Sequence, residues 1–309
     1  MPEEHAPKVV VHLGAHKTAS TYLQARLAKS ADALRQLQVG YVDQKSFRQM
    51  IDRAGGLRRC QYRFAVLSQR ALRKALNGMI RQQHDLGARR IVLSEENILG
   101  NLADFETSQK FYPAAGARLR VICEALRGCD LELALSIRDY TTFLPSVWSH
   151  LVLRNGYRRF DPGIAQSYLC RGRGWAELVQ DIQRAAPGIP ITLWTYEHLA
   201  EAENDILQTL AGAGSGLAIK PLRWRALPGL SAAAVERIED LVRAGQTPSA
   251  ERVRMIANSF NKLDGHGRYT PWAEGTAKRL SERYANDIER IERIAAVRRI
   301  RPDSVSRAA

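Results

Sequence analysis

From about residue 8 to residue 200, the chain alternates between short apolar runs and longer segments of helical period. The apolar runs are rich in valine, isoleucine and leucine, and the first of them, KVVVHL, is typical of a strand buried on both faces. They occupy residues 8–13, 91–93, 131–137 and 191–194. The clearest helical segments occupy residues 64–87, 116–127 and 142–153. Strands that alternate with helices predict an α/β fold of three layers, with a central parallel sheet flanked by helices.

The remainder of the chain predicts a helical C-terminal extension. Residues 212–229 are marked by Gly and Pro and are interpreted as a long connection. Ser231 follows it as a candidate N-cap, and residues 191–194 would be the last clear strand. Helices are expected over residues 231–242, 249–262 and 273–295. A single domain over residues 1–309 would then have its α/β core at about 8–200, its helical part at about 230–297 and a basic, frayed tail at 298–309.

The composition favours an anion-binding protein without choosing the anion. The chain carries 46 Lys and Arg against 32 Asp and Glu, a formal net charge of +14, which attracts nucleotides, acidic glycans and nucleic acid alike. The four cysteines form no C-x-x-C pair, which argues against a zinc site or a disulfide framework. No apolar run approaches the roughly 20 residues of a membrane span, and the first residues lack the apolar core of a signal peptide. We therefore expect a soluble, cytoplasmic protein with no metal and no integral membrane segment.

The segment after the first strand, HLGAHKTASTYL at residues 12–23, carries the most chemistry. A helix N-terminus directs unpaired backbone N–H groups toward one point and adds partial positive charge, so anions bind there readily. Lys17 adds a full charge, and the hydroxyls of Thr18, Ser20 and Thr21 are donors for nonbridging oxygens. The alternative interpretation is an ordinary helix cap with a solvated lysine.

This segment is not a Walker A loop, because Ala19 and Ser20 stand at the second glycine and the lysine of G-x-x-x-x-G-K-[ST]. It resembles the 5′-phosphosulfate-binding loop of sulfotransferases that use 3′-phosphoadenosine-5′-phosphosulfate (PAPS), of the bacterial type with a P-loop-like fold. Ala19 replaces the usual Gly of that family, which is tolerable only if its φ is negative. The resemblance implies that PAPS is the co-substrate and that its 5′ end is held by His16, Lys17, Thr18, Ala19, Ser20 and Thr21.

A second segment matches the 3′-phosphate motif of the same family. Arg138-Asp139 follows the strand at residues 131–137, and Ser146 stands eight positions after the arginine, as in that motif. A guanidinium fork suits a phosphate group. Pro145 is expected in the first turn of the next helix. The alternative is an arginine that pairs with a local carboxylate.

Two further segments resemble these enzymes less specifically. Gly267 and Arg268 lie in a loop followed by R-L-x-x-R-Y-x-x-D, as in the glycine-arginine loop of heparan-type sulfotransferases, where the arginine helps to close over the nucleotide. A plain surface turn is the alternative. Tyr196-Glu197 resembles a recurrent Tyr-Glu-x-Leu motif, for which we expect a structural role.

The resemblance implies transfer of a sulfuryl group to a hydroxyl or amine, with Lys17 stabilising charge on the bridging oxygen and no metal. Glu95 and Glu96 follow the strand at residues 91–93 and are the best candidates for a general base. Alternatively, one of these carboxylates caps a helix or pairs with an arginine. His16, His150 and Asp43 remain further candidates for the base.

Two other functions stay open. A P-loop kinase or NTPase uses the same strand, loop and helix, and a non-catalytic basic binding protein would suit the charge. Nucleic acid is not expected as a partner, since aromatic residues are not interleaved with the basic ones. The acceptor, a small molecule or a glycan, and the oligomeric state are not encoded in any motif. Acceptor contacts are expected on loops within residues 40–62, 97–113 and 154–175.

Overall fold

The computed structural model describes residues 6–62, 65–102, 104–105, 111–170, 172–212, 229–261 and 264–302. Most of the predicted connection at residues 212–229 and the end of the predicted tail lie outside these residues. Within the described ranges, no helix is both long and apolar enough to cross a membrane.

Six parallel strands form one sheet in the order β2-β3-β1-β4-β5-β6. They are β1 (Lys8–His12), β2 (Val39–Val42), β3 (Arg90–Ser94), β4 (Asp130–Ile137), β5 (Ile191–Thr195) and β6 (Val297–Arg299). The four strands predicted from apolar runs are therefore present. They occupy the four inner positions of the sheet, where burial on both faces requires such runs.

The two edge strands were not predicted. The expectation that residues 191–194 form the last strand was wrong, because β6 pairs with β5 in parallel and the amide of Ile300 donates to the Leu193 carbonyl over 2.8 Å. The segment assigned to a basic tail therefore begins inside the sheet. An edge strand of three residues with two arginines gives no apolar run, since it pairs on one side only.

Thirteen α-helices lie in the part of the chain that the structure describes. They are α1 (Ser20–Lys29), α2 (Ala31–Gln36), α3 (Gln44–Arg53), α4 (Leu57–Cys60), α5 (Val66–Asp85), α6 (Ala115–Ala125), α7 (Tyr140–Asn155), α8 (Ile164–Cys170), α9 (Trp175–Ala185), α10 (Leu199–Ala211), α11 (Ala232–Arg243), α12 (Ala250–Ser259) and α13 (Glu274–Glu292). The segments 40–62 and 154–175, within which we expected loops that contact the acceptor, contain most of β2 and all of α3, α4 and α8. Ser231 caps α11 as predicted, since its side chain accepts from the amide of Ala234.

The helices cover both faces of the sheet, which confirms the three-layer α/β fold. Val10 of β1 packs in a cluster with α1, α2 and α10. Its neighbours Val9 and Val11 point to the opposite face, where α3 to α7, α9 and α13 contribute to the larger cluster. A third cluster joins α11 and α12 to the end of α7.

The two faces explain where a ligand site forms. The adjacent strands β1 and β4 run in parallel, but α1, which follows β1, lies on one face and α7, which follows β4, lies on the other. Chains that leave neighbouring strands toward opposite faces open a crevice at the carboxyl ends of those strands. The loop at residues 13–19 and Arg138 both lie at this crevice.

Pro145 lies in the second turn of α7, because the helix already begins at Tyr140. The expectation that this proline lies in the first turn was wrong. A proline at this position cannot donate to the carbonyl of Thr141 four residues earlier. The indole Nε1 of Trp272 donates to that carbonyl instead, over 2.8 Å. The side chain before α13 thus completes a hydrogen bond that the α7 backbone cannot make.

The motif R-L-x-x-R-Y-x-x-D lies on α13 and fastens this helix to the core. Asp287 is fully buried, accepts from the Tyr140 hydroxyl over 2.5 Å and lies 3.3 Å from Arg283. Tyr284 donates to Glu197 over 2.8 Å. These contacts hold α13 against the segments that follow β4 and β5. The motif therefore helps to fix the position of the two segments that border the crevice.

We expect Trp272→Phe to lower the free energy of unfolding by about 1–3 kcal/mol, because the Thr141 carbonyl then loses its donor. In a Pro145→Ala background the restored backbone N–H at position 145 can donate to that carbonyl, so Trp272→Phe should cost about 1 kcal/mol less. Urea unfolding of the four proteins in this cycle measures both values. An equal cost of Trp272→Phe in the two backgrounds would contradict the exchange of donors.

Candidate functional site

The loop between β1 and α1 is built from left-handed backbone. Gly14, Lys17 and Ala19 have φ values of 45°, 64° and 65°. A Cβ on Gly14 would lie 3.0 Å from the Cβ of Ser20, so both space and conformation require glycine there. The expectation of a negative φ at Ala19 was wrong. Ala19 adopts the conformation for which glycine is the unstrained residue, and this chain accepts the strain.

Five successive backbone amides are the main hydrogen-bond donors of this loop. Among the described residues, the backbone N–H groups of residues 17–21 donate to no protein acceptor. They lie at the N-terminus of α1, where the helix dipole adds partial positive charge. An anion placed there would satisfy several of these donors at once.

We expected the loop hydroxyls to donate to the oxygens of a ligand, but two of them donate to the protein backbone. Thr18 donates to the Ala15 carbonyl over 2.6 Å, and Ser20 donates to the same carbonyl over 3.3 Å. Both side chains are buried, and they hold the loop in shape rather than point outward. The side chain of Thr21 is exposed. Backbone amides, not hydroxyls, are therefore the main donors that the loop presents.

Lys17 is half-buried and forms no ion pair with any residue that the structure describes. Burial lowers the pKa of its ammonium group, the charge of Arg138 lowers it further, and Glu96 acts in the opposite direction. A partly desolvated cation without a partner is stabilised by a bound anion.

Arg138 is 8% exposed and contacts the loop directly. Its Nη1 donates to the Lys17 carbonyl over 2.7 Å, and its Nε donates to the Thr142 hydroxyl over 2.9 Å. The guanidinium carbon lies 4.0 Å from the ring centroid of Tyr196, an arrangement that orients the planar group. Burial is the main cause that lowers its pKa.

Arg138 forms no ion pair with a carboxylate of the described residues, so the alternative interpretation of this arginine does not hold. Asp139 instead caps α7 by accepting from the amide of Thr141, and Glu197 accepts from the amide of Asp139. Tyr196, for which we expected a structural role, is a neighbour of the candidate site because its ring lies against the guanidinium. Only the sheet topology, which places β5 beside β4, brings the two side chains together.

Ser146 and the late loop lie around the same crevice. Ser146 is half-buried on α7, one turn after the Thr142 that contacts Arg138. Gly267 has a φ of 67° and accepts through its carbonyl from the amide of Ala232. The exposed Arg268 is close enough to Arg138 for its charge to lower the pKa of that guanidinium.

Glu95 is not available as a general base. Its carboxylate is 1% exposed, accepts from Nε and Nη2 of Arg48 over 2.6 and 2.9 Å, and caps the short 3-10 helix at residues 96–98 through the amide of Asn97. Burial raises its pKa and Arg48 opposes that effect. The prediction for Glu95 is therefore corrected to its alternative, a capping residue paired with an arginine.

Glu96 lies nearer the crevice but is also engaged. Its carboxylate accepts from the side-chain amides of Gln24 and Gln44 over 3.3 and 3.0 Å, and from Arg48 over 3.3 Å. These three donors occupy the carboxylate oxygens, so a ligand that contacts Glu96 has to displace one of them. Asp43, another candidate for the base, caps α3 by accepting from the amide of Ser46. Arg48 and the two glutamines have no local sequence signal, because they lie on α1 and α3, far from Glu96 in the chain.

His16 fixes the loop through hydrogen bonds of both ring nitrogens and of its backbone amide, so its ring is not free to act as a base. Its Nε2 lies 3.1 Å from Oδ1 of Asn97, its Nδ1 lies 3.1 Å from the Tyr112 hydroxyl, and its amide donates to that hydroxyl over 3.0 Å. An amide oxygen only accepts, so Nε2 carries the proton and Nδ1 accepts from Tyr112. Burial is the largest cause that lowers the pKa of His16, which keeps the ring neutral.

No group of three or more His, Cys, Asp or Glu side chains that would hold a metal ion occurs in the described ranges. The donors at the crevice are amides and cations, which suit an anion with several oxygens rather than a metal. A ligand with two phosphate groups fits this set, because the amides of residues 17–21 and the guanidinium of Arg138 are adjacent but distinct.

We expect Ala19→Gly to raise the free energy of unfolding by about 1 kcal/mol, because glycine removes the left-handed strain at this position. Ala25→Gly, in the middle of the same helix, should lower it by about 1 kcal/mol. Urea unfolding of the two variants compares the same substitution in two backbone conformations. A loss of stability in Ala19→Gly equal to that in Ala25→Gly would contradict the loop geometry.

No protein-family model and no curated protein matches this chain.

Proposed function

We propose that the protein is a sulfotransferase that moves the sulfuryl group of PAPS to a hydroxyl or amine acceptor. One observation supports this most: two cations without a carboxylate partner among the described residues, Lys17 and Arg138, meet beside five unpaired amides at the crevice. Arg138 contacts Lys17 directly, through the backbone carbonyl of that residue. A ligand that carries negative charge at two places compensates both cations together.

The position of Arg138 favours a nucleotide with a 3′-phosphate over a simple nucleoside triphosphate. The amides of residues 17–21 suit a 5′-phosphate at the helix N-terminus. The guanidinium is oriented by Thr142 and Tyr196 and leaves Nη2 without a protein acceptor in the described residues, which suits a second phosphate. Ser146 on the same helix is the matching hydroxyl. A kinase would instead require lysine at the Walker position, where this chain has Ser20.

The chemistry required of these residues is positioning and charge stabilisation. The acceptor oxygen or nitrogen attacks the sulfur as the bond between sulfur and the 5′-phosphate oxygen breaks, the electron pair of that bond stays on the phosphate, and the proton of the acceptor is released to solvent. Lys17 stabilises the charge that develops on the leaving oxygen, and the amides of residues 18–21 hold the 5′-phosphate. Such preorganised donors act strongly because the site is partly shielded from water.

Lys17→Ala should weaken binding of adenosine 3′,5′-bisphosphate at least about tenfold and slow sulfuryl transfer about 100- to 1000-fold. Isothermal titration calorimetry measures the binding, and transfer of radioactive sulfate from PAPS to pooled carbohydrate, lipid and phenolic acceptors measures the activity. Lys74→Ala removes an exposed lysine of α5 and should change neither value. Binding of ATP alone would support a kinase, and binding of neither nucleotide would support a non-catalytic protein.

Arg138→Lys tests the site for the 3′-phosphate separately. A lysine keeps the charge but not the fork, so affinity for adenosine 3′,5′-bisphosphate should fall about tenfold or more, while affinity for adenosine 5′-monophosphate stays within about threefold. The matched control is Arg70→Lys at an exposed position of α5. Equal losses for the two nucleotides would show that Arg138 does not distinguish the 3′-phosphate.

A further inference from the structure

Residues 53–84 concentrate the positive charge of the chain. They contain eight Lys and Arg residues and no Asp or Glu, which accounts for more than half of the net charge of +14. The segment covers α4 and all of α5 except its last residue. Its exposed arginines in the described ranges form no ion pair with a described carboxylate. They are Arg53, Arg58, Arg59, Arg70, Arg73 and Arg81.

Apolar side chains protrude from this basic segment where α4 meets α5. Leu67 is 80% exposed, and Tyr62 and Val66 are about half exposed. The side-chain amide of Gln69 donates to the carbonyls of Cys60 and Tyr62 over 2.9 and 3.1 Å. These two bonds hold the end of α4 against the first turns of α5. The exposed apolar residues are therefore fixed close together rather than scattered over the surface, and such groups mark interaction sites.

The solvent-facing side of α5 presents apolar and basic side chains together. The buried residues of this helix turn toward the core. Arg70 follows Leu67 by three residues, and Arg73 follows Val66 by seven, so each arginine lies on the same face of the helix as the apolar residue before it. We call residues 57–62 and 65–73, which include Arg58 and these side chains, the basic corner. A basic surface with exposed apolar residues is typical of binding to a membrane surface.

The basic corner lies at the end of the sheet where the crevice opens. The other end of α5 lies at the start of the strands, since a Cβ on Gly40 in β2 would lie 2.5 Å from Oε1 of Gln83. The chain then enters β3 at Arg90. The helix therefore runs opposite to the parallel strands, and its first turns lie toward their carboxyl ends.

A buried arginine connects the basic corner to the anion site. Arg118 donates through Nε to the side chain of Gln61, directly after α4, over 3.0 Å. Its Nη1 donates to the carbonyl of Asn97 over 3.2 Å. The side chain of Asn97 in turn accepts from His16, which precedes Lys17. The corner and the crevice thus share one rigid end of the molecule.

An anionic bilayer satisfies both features of the basic corner. The phosphates or sulfates of a soluble polyanion would compensate the arginines but leave Leu67 and its apolar neighbours in water. A second copy of the chain would place like charges against each other. At a lipid surface, arginines contact anionic head groups while apolar side chains enter the boundary between head groups and acyl chains.

We infer that the basic corner docks the protein on anionic membranes. Tyr62, Val66 and Leu67 enter the interface, and the surrounding arginines bind the lipid phosphates. Because the corner lies toward the carboxyl ends of the strands, docking turns the end of the molecule that holds the crevice toward the membrane. The docking contacts include no residue of the anion site, so this inference does not depend on the proposed sulfotransferase activity.

Sedimentation with lipid vesicles tests the docking directly. The wild-type protein should bind vesicles of phosphatidylcholine that contain about one quarter phosphatidylglycerol, and it should not bind vesicles of phosphatidylcholine alone. Binding should weaken as the salt concentration rises, because salt screens the attraction between arginines and head groups. The measurement needs no nucleotide, so its result is separate from that of the nucleotide titrations.

Leu67→Gln tests the apolar part of the contact. It should weaken vesicle binding at least about fivefold, because a polar side chain gains no free energy by leaving water. The matched control is Leu86→Gln, since Leu86 is 63% exposed just after the other end of α5. This control should bind as the wild-type protein does.

Two triple variants test the charged part of the contact. The first removes three arginines of the basic corner and should weaken binding about 100-fold, since each cation near an anionic surface contributes about fivefold. Its substitutions are Arg58→Gln, Arg70→Gln and Arg73→Gln. The second removes three exposed arginines from α11, α12 and α13 and should stay within about threefold of the wild-type affinity. Its substitutions are Arg237→Gln, Arg252→Gln and Arg279→Gln.

Three outcomes would overturn the inference. One is the absence of binding to the anionic vesicles. Another is an equal loss in the two triple variants, which would indicate attraction by the net charge alone. The third is wild-type affinity of Leu67→Gln, which would favour a soluble polyanion as the partner of the arginines. None of these outcomes would affect the sulfotransferase proposal.

Discussion

A buried arginine without a carboxylate is the constraint on which the site depends. Arg138 is 8% exposed at the end of an inner strand, and its direct contacts within the described residues are one carbonyl, one hydroxyl and one aromatic face, while the nearby carboxylates of Glu197 and Asp139 form no ion pair with it. Such neutral partners orient a guanidinium but do not balance its charge. Lys17, three residues into the loop after Gly14, likewise forms no ion pair within the described residues. These two cations make the crevice the candidate site for an anion.

The fold holds these groups in place through contacts on the far side of the crevice. Tyr140 begins α7 and donates to Asp287 of the last long helix, and Glu197 links the amide of Asp139 to the hydroxyl of Tyr284. The C-terminal region is therefore part of the support of the site rather than an appendage. It also supplies β6, which closes one edge of the sheet.

The sequence predicted the structure best at the inner strands, where burial restricts the residue types that the strand can contain. Inner strands surrounded on both faces produce apolar runs, and all four were found from the pattern. The loop after β1 was recognised from Lys17 and its hydroxyl neighbours, but the orientation of Thr18 depends on backbone angles at Lys17 and Ala19 that the sequence pattern does not reveal. Glu95 was proposed because it follows a strand next to Glu96, whereas its partner Arg48 lies 47 positions earlier in the chain. Edge strands and long-range polar partners are set by tertiary structure, so local patterns miss them.

The central claim is that one nucleotide spans the amides of residues 17–21 and the guanidinium of Arg138. A crystal structure of the complex with adenosine 3′,5′-bisphosphate tests it most directly. We expect the 5′-phosphate at the N-terminus of α1 and the 3′-phosphate within hydrogen-bond distance of Arg138 and Ser146. A nucleotide bound elsewhere, or one whose 3′-phosphate points into solvent away from Arg138, would contradict the claim.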